Sequence, residues 1–178
     1  PPRSTLFPYT TLFRSDVPFG IGSGSGVIFG VTGGVTEAVL RRLQQGHNRV
    51  DMESIKKSGV RGDDGIKVLT YNYNGREIKA AVVNGLANAD KVLQQIKNHE
   101  AEYDFVEVMA CRRGCIMGGG QPVNAGPRTR KARMKGLYDT DVNTQIKKSN
   151  ENPMILSLYD TLLKGKEHEL LHRNFSGK

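Results

Sequence analysis

The chain holds only two cysteines, Cys111 and Cys115, separated by three residues and followed closely by Gly118-Gly119-Gly120. Thiolates are soft ligands that suit iron–sulfur clusters or zinc. Glycines beside them allow a backbone to approach a bulky group closely. The run Asp104 to Met109 is rich in β-branched and aromatic residues and predicts a short buried strand. Such a strand would deliver its ligands at a carboxyl-terminal sheet end, where open α/β sheets bind cofactors. Two thiolates are half of the four that usually hold an iron–sulfur cluster. The spacing alone therefore leaves two readings open: part of a metal site, or two small buried residues in a metal-free turn. A helical disulfide is disfavoured, since nothing in the chain points to secretion.

The elements that would position this loop follow from periodicity. Gly20 to Gly34 reads as a glycine-rich loop feeding a helix with Val35, Val39, Leu40 and Leu43 as its apolar stripe and Gly46 at its end. Neither GxGxxG nor GxxxxGK[ST] fits there, which argues against nucleotide binding. The helix amides at that end would still favour an anionic cofactor. Ile66 to Tyr73 and Arg76 to Val83 alternate around Asn74-Gly75, a two-residue hairpin signal. Leu86, Ala89, Leu93 and Ile96 mark a second helix. Gly126-Pro127 opens a basic helix. Asn152-Pro153 caps another, with Ile155, Leu158, Tyr159, Leu162 and Leu163 as its buried stripe and Gly165 closing it.

Three ordered blocks carry a resemblance. The string Met109-Ala110-Cys111-Arg112-Arg113-Gly114-Cys115, continued by Gly118-Gly119-Gly120-Gln121-Pro122, is similar to the third cysteine motif of the [FeFe] hydrogenases, MACxxGCxxGGGQP. Pro18-Phe19-Gly20 and then Gly26 to Ala38 resemble that family's IFGxTGGVxEAxLR segment. Leu137 to Tyr159, and the closing His168-Glu169-Leu170-Leu171-His172, resemble its small-subunit region and tail. Arg112-Arg113 and Asn150 depart from the commoner residues of the pattern without removing a ligand. The motifs that carry the family's other cubane ligands and its proton relay are not found in this sequence.

The resemblance implies an α/β fold, one lobe of the two-lobed iron-hydrogenase catalytic domain with C-terminal helices. Residues 1–15 then read as an extraneous junction or a disordered segment, 16–126 as the C-terminal lobe of the large subunit, and 127–178 as the helical tail that resembles the small subunit. It further implies that Cys111 and Cys115 ligate a [4Fe-4S] cubane bridged to a diiron subsite, together the H-cluster, with Cys115 making the bridge. Phe29, Gly30, Thr32, Gly33, Gly34, Val35 and Met109 would line that cofactor, with Phe29, Val35, Met109 and both sulfurs around one concavity. The implied activity is interconversion of protons, electrons and H2. The implied partners are ferredoxin or sister electron-transfer subunits and the N-terminal lobe of the same enzyme, without which this segment alone would be inactive. Loss of that lobe would leave an apolar face uncovered around Ile28, Phe29 and Val108. A noncatalytic iron–sulfur assembly or sensory protein and a zinc- or disulfide-based binding module remain as competing readings.

The formal charge of +8 concentrates at Arg128, Arg130, Lys131, Arg133 and Lys135. No stacking platform or DNA-binding pattern accompanies it, so a face that is solvated or meets a sister subunit is expected rather than nucleic-acid binding. No apolar run reaches the roughly 20 residues needed to span a bilayer, so no membrane insertion is expected. Two cysteines without a disulfide framework fit a reducing cytoplasm. His168 and His172 form a formal HExxH zinc motif, but no third ligand follows. His47 and His99 read as isolated surface residues.

Overall fold

In the computed structural model, residues 21–46, 49–62, 64–122 and 126–172 are described. The 1–15 segment and His47 therefore lie outside the described residues. Three strands form one sheet in the order β1-β2-β3: β1 Ile66–Tyr73, β2 Arg76–Asn84 and β3 Phe105–Met109. β1 and β2 pair antiparallel from Ile66↔Val83 to Tyr73↔Arg76. Asn74 (φ 52°) and Gly75 (φ 80°) turn the hairpin, as the two-residue signal requires. β2 and β3 pair parallel from Ala80↔Phe105 to Asn84↔Met109.

The helices in chain order are α1 Gly24–Val27, α2 Gly34–Leu43, α3 Met52–Lys57, α4 Leu86–Lys97, α5 Pro127–Asn143, α6 Pro153–Asp160 and α7 Glu167–Leu171. Ala80 to Asn84 of β2 are all buried, because the strand is central and covered on both faces. Leu69, Ala80 and Val82 pack on one face against Leu40 of α2, Ile55 of α3 and Val60. Ala81 and Val83 pack on the other against Ala89 and Val92 of α4. A third cluster joins Ile28, Val31 and Ile116 to Met134, Leu137 and Tyr138 of α5.

Several predicted stripes face elsewhere. α2 buries Thr36, Glu37, Leu40 and Arg41, while Val39 is exposed and Val35 and Leu43 are half-buried. The polar residues can go inside because they satisfy one another there. α4 buries Ala89 and Val92 and leaves Leu86, Leu93 and Ile96 exposed. Of the stripe assigned to the last long helix, only Leu163 is buried, and it lies beyond the end of α6. That helix is nevertheless started as expected, with Asn152 Oδ1 accepting from Met154 N at 3.0 Å. β3 is only half-buried: Val108 is exposed and Glu107 is inside. Ile28, expected on an uncovered face, is fully buried. α3 carries no strong apolar period. It is held instead by Asp51, whose carboxylate accepts from Glu53 N and Ser54 N, a short-range cap.

Candidate functional site

β3 runs straight into the cysteine loop. Met109 is its last residue, and Cys115–Met117 forms a single 3-10 turn. The chain reverses between them through Arg113 (φ 72°) and Gly114 (φ 85°), with Gly114 N donating to Cys111 O at 3.1 Å. Arg113 N donates to the buried Asn84 Oδ1 at 3.2 Å, which ties the loop back to the end of β2. Arg133 of α5 donates to the Ile116 and Pro122 carbonyls at 2.8 and 3.3 Å. That side chain, expected on a solvated basic face, holds the far side of the cysteine loop instead. Both cysteines are exposed free thiols, so the reading of two buried turn residues does not hold.

The glycine turn meets this loop directly. A Cβ at Gly114 would lie 3.1 Å from the Gly30 carbonyl oxygen, 3.1 Å from Met109 Sδ and 3.2 Å from Thr32 N. Thr32 Oγ1 donates to Met109 Sδ at 3.7 Å in a buried contact. A Cβ at Gly118 would lie 2.9 Å from Cys111 Sγ. Gly30, Thr32, Met109, Gly114 and the Cys111 side chain are thus gathered at one end of the sheet. Gly34 sits behind them, so close to Ile28 that a Cβ would fall 1.8 Å from its carbonyl oxygen.

Phe29 and Val35 point into a different space. They line a groove of about 620 Å³ between α2 and the Ser149–Tyr159 region, with Val39, Leu43, Ile155 and Tyr159. Neither the cysteines nor Met109 line that groove. Of the residues expected around one concavity, Phe29 and Val35 thus border this groove, while Met109 meets the cysteine loop through Gly114.

Sequence reasoning missed the charged interior behind the site. Glu107, 5% exposed, accepts from Gly33 N at 2.8 Å and from Thr36 N and Oγ1 at 2.7 Å each. These are the helix amides expected to greet an anionic cofactor, and a carboxylate of the protein already occupies them. Arg41 donates to both oxygens of Asp141, at 2.7 and 2.6 Å, and also pairs with Glu37 on its own helix. Arg61 adds a second guanidinium to Glu37 and lies 4.0 Å over the Tyr138 ring. Burial opposes the charge on Arg41, but Asp141 and Glu37 outweigh it and raise its pKa above the ordinary value. Burial, then the Glu37 charge, pushes the Tyr138 phenol up to about 12. Lys148 closes the other end of α2 by donating to the Gln44 and Gly46 carbonyls, where the helix dipole favours a cation. The only advance signal for this network was Glu37 within the family-like segment, with Arg41 following at i,i+4 spacing.

Among the described residues, no group of three or more His, Cys, Asp or Glu side chains could hold a metal ion. The His168 and His172 rings stack with centroids 4.9 Å apart, so the HExxH string brings together two imidazoles and no complete zinc site. The two cysteines have the donor chemistry of a cubane site, are exposed, and are followed by Gly118-Gly119-Gly120, which carries no side chains. They supply two of its four ligands. The chain thus fits such a cluster as one wall of a shared site.

The sequence comparisons bear on the same residues. Residues 9–119 match the family described as iron only hydrogenase large subunit, C-terminal domain, and residues 127–178 match iron hydrogenase small subunit. The chain belongs to the iron-only hydrogenases. It is 37% identical to iron hydrogenase 1 of Clostridium pasteurianum, over 96% of this chain and 32% of that protein. It is 38% identical to the NADP-reducing hydrogenase subunit HndD of Solidesulfovibrio fructosivorans, over 90% of this chain and 28% of that one. A solved variant of [FeFe]-hydrogenase HydA1 from Chlamydomonas reinhardtii superposes with a TM-score of 0.59 at 35% identity, covering 89% of this chain and 48% of that chain. The cytosolic Fe-S cluster assembly factor narfl of Xenopus tropicalis is more distant, at 28% identity over 90% of this chain and 33% of its own. The chain therefore spans 28 to 33% of the length of these curated relatives. No helix among the described residues is long and apolar enough to cross a membrane.

Proposed function

We propose that this iron-only hydrogenase chain forms one wall of an H-cluster site and that the enzyme containing it interconverts protons, electrons and H2. The observation that carries the reading is the convergence of the cysteine loop, Met109 and the Gly30–Thr32 turn at one sheet end. When bound, the H-cluster would relay electrons from an external donor to the place where they combine with protons. Cys111 and Cys115 would hold the cubane part of that group as thiolate ligands. Met109, oriented by the Thr32 hydroxyl, gives the pocket a polarizable apolar wall that excludes water. The remainder of the catalytic domain covers the open side of the groove that Phe29 and Val35 line, and contributes the other two thiolates and the proton relay. A cytoplasmic location suits two cysteines with no disulfide framework, and ferredoxin or a sister subunit delivers the electrons.

A noncatalytic assembly factor is the competing reading, and the similarity to narfl supports it. The identities of 37 and 38% with named hydrogenases, against 28% with narfl, favour the catalytic one.

Cysteine replacement in the enzyme containing this segment is the direct test. Cys115→Ser is expected to abolish hydrogen evolution and disturb the diiron spectrum. Cys111→Ser is expected to lower cubane iron content. Normal hydrogen evolution by Cys115→Ser would overturn the assignment, and an intact cluster with no turnover in the wild type would favour the assembly-factor reading.

A further inference from the structure

Strands send alternate residues to one face, so Glu107 and Met109 leave β3 on the same side, and Cys111 follows two residues later. Glu107 spends its three hydrogen bonds on one short stretch: Gly33 N, Thr36 N and Thr36 Oγ1. Met109 takes the Thr32 hydroxyl from the same stretch. Gly114, inside the cysteine loop, packs on Gly30 O and Thr32 N. A turn built on Gly33-Gly34 has no conformational preference strong enough to hold itself in place. Hydrogen bonds to an ionised acceptor are about twice as strong as neutral ones. Of the side-chain contacts that join this turn to β3, those of Glu107 come from an acidic group and the Thr32–Met109 contact ends on a weakly accepting thioether.

We propose that Glu107 is a positioning residue: it clamps the Gly30–Thr36 turn to the strand that carries the cysteine loop, and so sets the orientation of the Met109 sulfur against Gly114, between Cys111 and Cys115 in that loop. The functional meaning rests on those two cysteines being cluster ligands. The geometric claim does not. A helix cap that merely stabilised α2 would lower stability when removed but leave Met109 unmoved in every molecule that stayed folded.

The test uses the whole chain with methionine methyl groups labelled for NMR. The Met109 signal is assigned by Met109→Leu, and Val92→Ala in α4, on the opposite face of the sheet from α2, serves as a destabilised control. In Glu107→Gln, the amide nitrogen replaces one acceptor and faces donors. Exchange of the Gly33 and Thr36 amides is expected to accelerate about tenfold or more relative to the β1–β2 hairpin, and the Met109 methyl signal is expected to shift or split in folded protein. Val92→Ala should lose stability and keep that signal. Should Glu107→Gln fail to fold, Thr36→Val removes one of the three bonds while keeping the backbone donor, and the same signals are read. Either variant losing stability with unchanged Met109 and unchanged exchange at Gly33 and Thr36 would overturn the proposal. In the assembled catalytic domain, Glu107→Gln should also change the cubane EPR line shape, and an unchanged line shape would overturn the link to the cluster. A wild-type domain that bound no cluster would instead overturn the hydrogenase reading, with the clamp decided by the methyl signal.

Discussion

The heaviest demands on single side chains fall on Arg41. It is 0% exposed and joins Glu37 on its own helix to Asp141 a hundred residues away. Two guanidinium nitrogens on two carboxylate oxygens make a directional contact that Lys could not reproduce. Removing one partner of a buried pair leaves an uncompensated charge. Arg41→Met is therefore expected to destabilise the chain by about 3 kcal/mol or more in urea unfolding. Glu37 would retain Arg61, while Asp141 would lose its bidentate partner. The surface pair Arg76–Asp104, with Arg76 75% exposed, is a useful contrast. Arg76→Ala should cost under about 1 kcal/mol. Equal effects of the two changes would mean that burial does not govern these bridges.

At the scale of elements, α2 is the part on which the site depends. An acidic side chain from β3 meets its N-terminal amides, a basic one from the C-terminal region meets the carbonyls just beyond its end, and Arg41 anchors its last turn. Its first residue, Gly34, lies against the Ile28 carbonyl. Close backbone approach of this kind excludes any side chain, and overpacking typically costs about 1 to 3 kcal/mol or more. Gly34→Ala is expected to displace the Ile28–Gly30 turn and to lower the thermal midpoint by several degrees. Gly75→Ala, which meets open space but keeps φ 80°, separates conformational strain from crowding. An unchanged melting curve for Gly34→Ala would show that the approach is softer than the geometry indicates.

For the molecule as a whole, stability should respond to pH at both ends. In the folded state the Tyr138 phenol holds its proton up to about 12, against an ordinary value of 10.0. A group whose folded value is raised contributes its full stabilisation below the unfolded value and loses it as pH climbs through the folded one. Stability should accordingly fall between about pH 10 and pH 12, and Tyr138→Phe should flatten that limb. At the acid end, the Lys79 backbone N–H and then the Arg76 guanidinium hold the exposed Asp104 carboxyl below its ordinary value. That contribution is present above the ordinary carboxylate range and is lost as pH falls through the lowered value. Asp104→Asn should remove it, and urea midpoints measured across pH read both limbs. The molecule also carries exposed apolar side chains on two sides, at Leu86, Leu93 and Val108 and at Phe29, Leu156 and Tyr159. The second set borders the groove proposed to face the rest of the catalytic domain.

Features that depend on near neighbours were legible along the chain alone. The Asn74-Gly75 hairpin, the Asn152 cap and the Pro127 helix start are short-range, and each formed where its residues stand. The cysteine motif and the family-like blocks were equally legible, because a ligand spacing is written in residue order. Which face of each helix went inside was settled only on folding. Val35, Val39 and Leu43 form a sound apolar stripe on α2, yet Glu37 and Arg41 are the buried pair, since only the folded chain brings Asp141 and Arg61 to complete their hydrogen bonds. Folding likewise turned Glu107 inward to the Gly33 and Thr36 amides, and set Phe29 and Val35 beside the groove that Ile155 and Tyr159 also line. A periodicity reports where apolar side chains line up along one element. Whether polar groups can share the interior depends on partners up to a hundred residues away.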